Sequence, residues 1–288
     1  MLLVLDFDET ITLHAGKPDE WKVLSDAYMK DYAAAKESVS NIQPATFGQL
    51  HTYLDAFDNV ERASIQRITE SRFFEGVGER AIKELAESIQ LRPGFTQFIT
   101  SLRPYLESGL IKLHILSVNW SALLIRHTLC SQAALTPELF YIHCNDILLQ
   151  STTGIATGAM SPYGSSEPIH TATDKLRVFT KLQKSALQSV YVGDSLTDLY
   201  CLLQAKVGIF IGEKDSVLDV IQRMVLTLIP LQALASGTHK QAMPPFDLSQ
   251  KTQPVWKTRT SVHVAKLYTA TTWSDISSFL FHQQNDAR

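Results

Sequence analysis

The sequence predicts an α/β protein: a doubly wound parallel sheet with an all-helical domain inserted behind its first strand. Three observations predict it. Apolar runs of strand length recur along the chain with helix-patterned segments between them, as in sheets whose strands are buried on both faces. A block rich in helix formers, from Asp19 to Glu87, separates the first run from the second and is too long for one crossover helix. Three of the runs also end on an acid or a hydroxyl, at the strand carboxyl ends where ligands bind in such sheets.

The first run, Leu2 to Leu5, stops on Asp6-Phe7-Asp8. If the extended geometry continues, Asp6 and Asp8 point to one side and Phe7 to the other. Two carboxylates crowded there repel, and a divalent cation neutralises both while accepting hard oxygen ligands. Within the helical block, three sets of apolar residues recur at helical spacing: Trp21, Leu24, Ala27 and Tyr28; Phe47, Leu50, Tyr53, Leu54 and Phe57; and Val77, Ala81, Ile82 and Leu85. Pro93-Gly94 then marks a turn before a helix carrying Phe98, Ile99 and Leu102.

The second strand, Leu110 to Leu116, gives way at Ser117-Val118-Asn119 to a helix whose N-terminal N–H groups can hold an anion, with Ser121 as its cap. Leu139 to Asn145 reads as a third strand, Ile147–Leu149 and Ile155–Met160 as a hairpin, and 161–173 as a loop. Lys175 falls in the first turn of the next helix, where the dipole disfavours it unless negative charge lies close. Ser189 to Gly193 is a fourth strand, ending in Asp194, with Asp198 four residues on and able to face the same cavity. Val207 to Gly212 makes a fifth strand, with a helix from Val217 to Leu228 behind it. From Gln232 to Val262 the chain is polar and proline-punctuated, and a last helix buries Trp273, Ile276, Phe279 and Leu280.

Asp6-Phe7-Asp8-Glu9-Thr10 resembles the first signature, D-x-D-x-T, of the haloacid dehalogenase superfamily. Ser117, Lys175 and the cluster Gly193-Asp194-Ser195-Leu196-Thr197-Asp198 stand in the order of the later signatures. The Pro-Gly at 93–94 and the helical block narrow the resemblance to phosphoserine phosphatase-like members, over residues 1 to 212 or so. The resemblance implies a catalytic core formed by 1–14 and 91–288, with 232–288 an extension packed on it, and a helical cap over 15–90 that closes on substrate. It implies phosphomonoester hydrolysis with Mg²⁺ held by Asp6, the Asp8 carbonyl and Asp194. Asp198 would be a further metal-site or lysine-orienting acid, and Ser117, Val118, Asn119 and Lys175 would bind the phosphoryl group.

In chemical terms Asp6 is then the nucleophile and Asp8 the acid and base. Asp8 points away from dehalogenases, whose leaving group needs no proton, and towards phosphatases and phosphomutases. A phosphomutase, or an idle member that binds a metabolite or protein, remains the alternative. The substrate is expected to be a small soluble phosphate ester; Arg62, Arg67, Arg72, His14 and Trp120 are its possible contacts.

Composition bounds the rest. At 288 residues, 45% hydrophobic and 19% charged, the chain is an ordinary globular protein with a sizeable core. A net charge of −3 leaves no electrostatic footprint for nucleic acid, and no stretch is expected to span a bilayer. Three unpatterned cysteines, at 130, 144 and 201, suggest a reducing compartment and no zinc cluster. A cytoplasmic monomer or homodimer is expected, with the nucleus as a second address.

Overall fold

A computed structural model describes residues 1–13, 22–44, 46–224, 226–235 and 266–281. His14, Trp21, the side chain of Phe47 and the polar stretch 236–265 lie outside the described residues. The expected fold class holds: an eight-stranded, mainly parallel sheet with helices on both faces, its strands in the order Ala156–Tyr163 (β4), Phe140–Leu149 (β3), Lys112–Leu116 (β2), Leu2–Leu5 (β1), Ser189–Gly193 (β5), Val207–Ile211 (β6), Lys266–Ala270 (β8) and Thr227–Pro230 (β7).

β1 (Leu2–Leu5) is buried throughout because both its faces are covered. Leu3 and Leu5 join one apolar layer, with α4 (Phe95–Glu107) and α5 (Ala122–Gln132). Leu2 and Val4 join the other, with α6 (Ala172–Gln183), α7 (Leu199–Gln204) and α8 (Asp215–Arg223). β2 (Lys112–Leu116) and β5 (Ser189–Gly193) flank it in parallel, with Leu5 opposite Ile115 on one side and Val192 on the other. That register brings Asp6, Ser117 and Asp194 to neighbouring strand ends. The order on either side of β1 reverses there, which is where such sheets open a crevice.

Among the described residues four helices lie between β1 and β2, three of them ahead of α4. α1 (Lys22–Ser38) and α2 (Phe47–Glu70) form an antiparallel pair joined by Tyr32 against Phe57, by the Arg67–Asp31 ion pair and by Tyr28 Oη donating to Glu61. Thr46 and Gln49 form a capping box at the head of α2. One face of α2, with Leu50, Leu54 and Phe57, docks on the layer of α6 to α8. The third helix, α3 (Glu79–Ser88), instead buries Ile82 and Ala86 in the opposite layer, beside α5.

Several elements differ from the sequence reading. β3 (Phe140–Leu149) is one continuous strand, and its antiparallel partner β4 (Ala156–Tyr163) extends into the segment expected to be a loop. The helix expected to reach Leu228 ends at Arg223, and β7 (Thr227–Pro230) follows. Thr227 and Ile229 are β-branched and Pro230 cannot continue a helix, so local preference favours the strand. After α9 (Leu231–Ala235), β8 (Lys266–Ala270) inserts between β6 (Val207–Ile211) and β7, so part of the tail is sheet interior.

α10 (Trp273–Phe281) ties this tail to α4 and to the turn that follows β1. Trp273 is fully buried against Phe95 and Phe98, and its Nε1 donates to the Thr10 carbonyl at 3.0 Å. Gly94, at φ 85, lets the chain pass beneath it; a Cβ there would meet the Ser274 backbone N at 3.2 Å. Trp273→Ala is expected to cost about 3–5 kcal/mol in urea unfolding, from the lost contact and the cavity together.

Candidate active site

Each predicted site residue is positioned by the end of a strand or the start of a helix. Asp6 follows β1, its N–H donating to the Val192 carbonyl at 2.9 Å, and its side chain is buried. The chain then turns: Phe7 is buried on the far side, the N–H groups of Ile11 and Thr12 donate to its carbonyl, and Glu9 takes φ 54. Arg92 donates to the Glu9 carbonyl and stabilises that turn. Asp8 is exposed; Asn119 Nδ2 donates to its two oxygens at 3.2 and 3.1 Å, and Ser117 Oγ lies 3.4 Å from one of them.

Lys175, in the first turn of α6, is fully buried. Its ammonium lies 2.9 Å from Asp6 Oδ1 and 2.7 Å from Asp198 Oδ1. Asp198 is consumed by its neighbours: Tyr191 Oη donates to Oδ1, and the N–H groups of Asp194 and Ser195 and the Ser195 hydroxyl all donate to Oδ2. Asp198 is thus a fixed acceptor for the Lys175 ammonium. Gly193 makes room for this arrangement, because a Cβ there would lie 2.5 Å from Asp198 Cγ. Gly193→Ala should lower stability by about 1–3 kcal/mol, as overpacking does, readable in thermal or urea unfolding.

Asp194 Oδ1 accepts from Thr10 Oγ1 at 2.7 Å, while Oδ2 faces Lys214 at 2.5 Å. Two buried oxygens, Asp6 Oδ1 and Asp194 Oδ2, have a cation close by yet no hydrogen bond of acceptable direction. Carboxylate oxygens of Asp6, Asp194 and Asp198 lie within 4.8 Å of one another. Of these, the hard, anionic Asp6 Oδ1 and Asp194 Oδ2, held close and left without directed donors, suit a small divalent cation, whereas Asp198 is already filled.

The electrostatics follow. Burial, then the nearby Asp198, Asp194 and Asp8 charges, hold the Asp6 carboxyl well above the usual range, with only Lys175 opposing. Burial raises Asp194 too, against the pull of Lys214. Burial would also raise Asp198, but Lys175 and the donors from Ser195 and Tyr191 outweigh it and the group stays lowered. Although residue 8 is exposed, loss of water around the Asp8 carboxyl raises it, against Asn119, Lys175 and Ser117.

Ser117 is buried and accepts the Asn119 N–H at 3.1 Å. Ser121 caps α5, accepting from the Leu124 N–H at 3.1 Å, and Asn119 Oδ1 accepts from the Ser121 N–H at 2.9 Å. The Val118 carbonyl accepts from Asn145 Nδ2 at 3.2 Å. Of the side chains offered as substrate contacts, Arg67 is paired with Asp31, Arg72 with Glu75 and the Thr157 carbonyl, and Arg62 lies 3.5 Å from Asp174. Trp120 packs on Phe74. Beside the acids, a cavity of about 170 Å³ lies between α1–α2 and the core, lined by Tyr28, Tyr32, Phe57, Glu61, Ser195 and Lys214 among others.

Thr10, Tyr191 and Lys214 were not singled out for these contacts by sequence reasoning. Thr10 is the last letter of the first signature, and Tyr191 stands two residues before Gly193 in its strand. Lys214 carries no signal; it follows a strand in a loop, as many lysines do.

No family model matches the chain. It is 35% identical over 237 residues to a CTO1 family protein of Schizosaccharomyces pombe, an alignment covering 77% of this chain and 86% of that one. It is 26% identical over 273 residues to the bifunctional TH2 protein, mitochondrial, of Arabidopsis thaliana, covering 93% of this chain and 42% of that longer protein. Similar solved structures include a HAD family hydrolase of Salmonella enterica serovar Typhi, at TM-score 0.45 and 17% identity over 76% of this chain and 64% of that one. A substrate-bound phosphoserine phosphatase aligns at the same TM-score and identity, over 76% of this chain and 89% of that one.

Proposed function

We propose that the chain, which belongs to the CTO1 family, is a Mg²⁺-dependent phosphomonoester hydrolase that works through an aspartyl-phosphate on Asp6. The observation that carries this reading is the meeting of Asp6 and Asp194, at adjacent strand ends, with Lys175 from the head of α6 against Asp6, and two buried carboxylate oxygens lacking directed donors. The four signatures of the haloacid dehalogenase resemblance fall on the same residues. On this reading α1 and α2 act as the cap.

Asp6 and Asp194 would hold the cation through their carboxylates and Asp8 through its carbonyl. When bound, the ion supplies positive charge to offset the acids and the phosphoryl oxygens. Lys175 neutralises Asp6 enough for an anionic ester to approach, and Asp198 keeps the lysine aimed. The Asp6 carboxylate attacks phosphorus, and the alcohol oxygen leaves with a proton from Asp8. Asp8 then takes a proton from the water that displaces phosphate from Asp6. Ser117 and Asn119, already in hydrogen-bonding range of Asp8, would grip the phosphoryl oxygens.

The leaving group would occupy the cavity against Tyr28, Tyr32 and Phe57. Its acids, Asp58 and Glu61, outnumber the single lining base, Lys214. Such a wall repels an alcohol that carries its own anion. Among the described residues no helix is long and apolar enough to cross a membrane.

The test is phosphate release from p-nitrophenyl phosphate and a panel of phosphometabolites, with Mg²⁺ and after chelation. Release that needs Mg²⁺ and stops on EDTA treatment is expected. Release unaffected by complete metal removal contradicts the proposal, and phosphate retained on an isomerised organic product assigns a mutase instead.

A further inference from the structure

We propose that Lys214 is a built-in competitor of the metal: it neutralises Asp194 while the divalent ion is away and must leave that carboxylate for the ion to bind. The proposal rests on the metal-dependent reading above and adds a device that sets the site's affinity.

The charges near the strand ends can be assigned pairwise. Lys175 is spent on Asp6 and Asp198, at 2.9 and 2.7 Å. Asp194 is buried and receives from Thr10 only a neutral hydrogen bond, on Oδ1. Its Oδ2 would be left as a bare buried anion were Lys214 not 2.5 Å away. The same ammonium reaches Glu9 Oε2 at 3.0 Å, so it bridges the two acids on this side of the site.

The contact is one of charge rather than direction, since Oδ2 lies close to Nζ without a hydrogen bond of good geometry. A divalent ion needs that oxygen at about 2.0–2.1 Å if it is Mg²⁺. An ammonium within 2.5 Å of the same atom would then be thrust against a doubly charged neighbour. The two cations exclude each other.

Lys214 can move. It stands at the N-cap position of α8, at the end of the loop after β6, and its side chain is 38% exposed. It also lines the cavity that holds Glu61 and Ser216, so an alternative polar berth lies on its path. Asp194, by contrast, is fixed by the strand and by Thr10. Metal binding and Lys214 release are therefore linked, and linkage is reciprocal.

Mn²⁺ titration of the metal-free full-length protein, followed by calorimetry or by the loss of free Mn²⁺ spin signal, tests this without reference to turnover. Lys214→Met should bind Mn²⁺ about tenfold more tightly than wild type. Its metal-free form should melt lower, so saturating Mn²⁺ should shift its melting point further. Lys214→Arg, which keeps the charge, should bind as wild type does and guards against a folding defect in the methionine variant. Equal or weaker Mn²⁺ binding by Lys214→Met overturns the competition. If wild type shows no Mn²⁺ binding that Asp194→Asn removes, the metal reading itself falls, and this inference with it.

Discussion

Asp6→Asn should slow phosphate release by roughly 10⁴-fold or more, the scale on which loss of a nucleophile acts, while leaving the protein folded and no less thermally stable. Activity falls because an amide cannot form the acyl phosphate that divides hydrolysis into two displacements. Stability holds because the ionised Asp6 is a burden to the metal-free fold. Its carboxyl is pushed upward by burial and by three neighbouring acids. A carboxyl raised in the folded state costs stability once pH climbs above its ordinary range, and that cost disappears below it. Metal-free wild type should therefore gain stability relative to Asp6→Asn as the pH is lowered from neutrality towards that range. Lys175 keeps its second partner, Asp198, in the variant. Parallel measurement of turnover and melting from pH 5 to 8 separates the two effects.

Among changes within the site, Lys175→Met carries the largest expected structural penalty. The lysine is fully buried and touches two buried carboxylates, so its removal leaves both without the charge that makes their burial tolerable. Breaking a buried pair in this way costs about 3–5 kcal/mol. Tyr191 and Ser195 still hydrogen-bond Asp198, so Asp6 bears most of the damage. Lys175→Met should thus lose both turnover and several degrees of melting point, and a Lys175→Met, Asp6→Asn double variant should recover much of the stability and none of the activity. Failure of the second change to restore stability would show that the lysine supports something other than Asp6.

The acids and the lysine were legible in the sequence because each sits where one element gives way to another. Asp6, Ser117 and Asp194 close apolar runs, and Lys175 opens a helix, so element boundaries alone put them near one edge of a parallel sheet. Which residues touch is a matter of register, and the sequence does not print it. That Asp198 would be filled by Tyr191, Ser195 and Lys175 depends on a turn only a few residues long. Lys214 was illegible for a simpler reason: a single loop lysine has no period and no partner nearby in the chain.

The tail shows the other limit. Lys266-Leu267-Tyr268-Thr269-Ala270 is too short and mixed to announce itself as a strand, yet Leu267, Tyr268 and Ala270 are buried once β6 and β7 flank it. Apolar runs as short as Leu226-Thr227-Leu228 fit either period, which is why the sequence predicts a helix to Leu228 where the structure has β7. Trp273, by contrast, was expected inside and is, although nothing in the sequence pointed to the Thr10 carbonyl as the partner of its ring nitrogen.

The claim on which the chemistry turns is that Asp6 itself becomes phosphorylated. Acid-quenching the enzyme during turnover with Mg²⁺, reducing the acyl phosphate with borohydride and sequencing the peptides by mass spectrometry reads this directly. The account predicts that the side chain at position 6, and no other, is converted to the corresponding alcohol, in proportion to substrate and not at all after EDTA. An unmodified Asp6 in an enzyme that is releasing phosphate, or reduction at a different carboxylate, would contradict it.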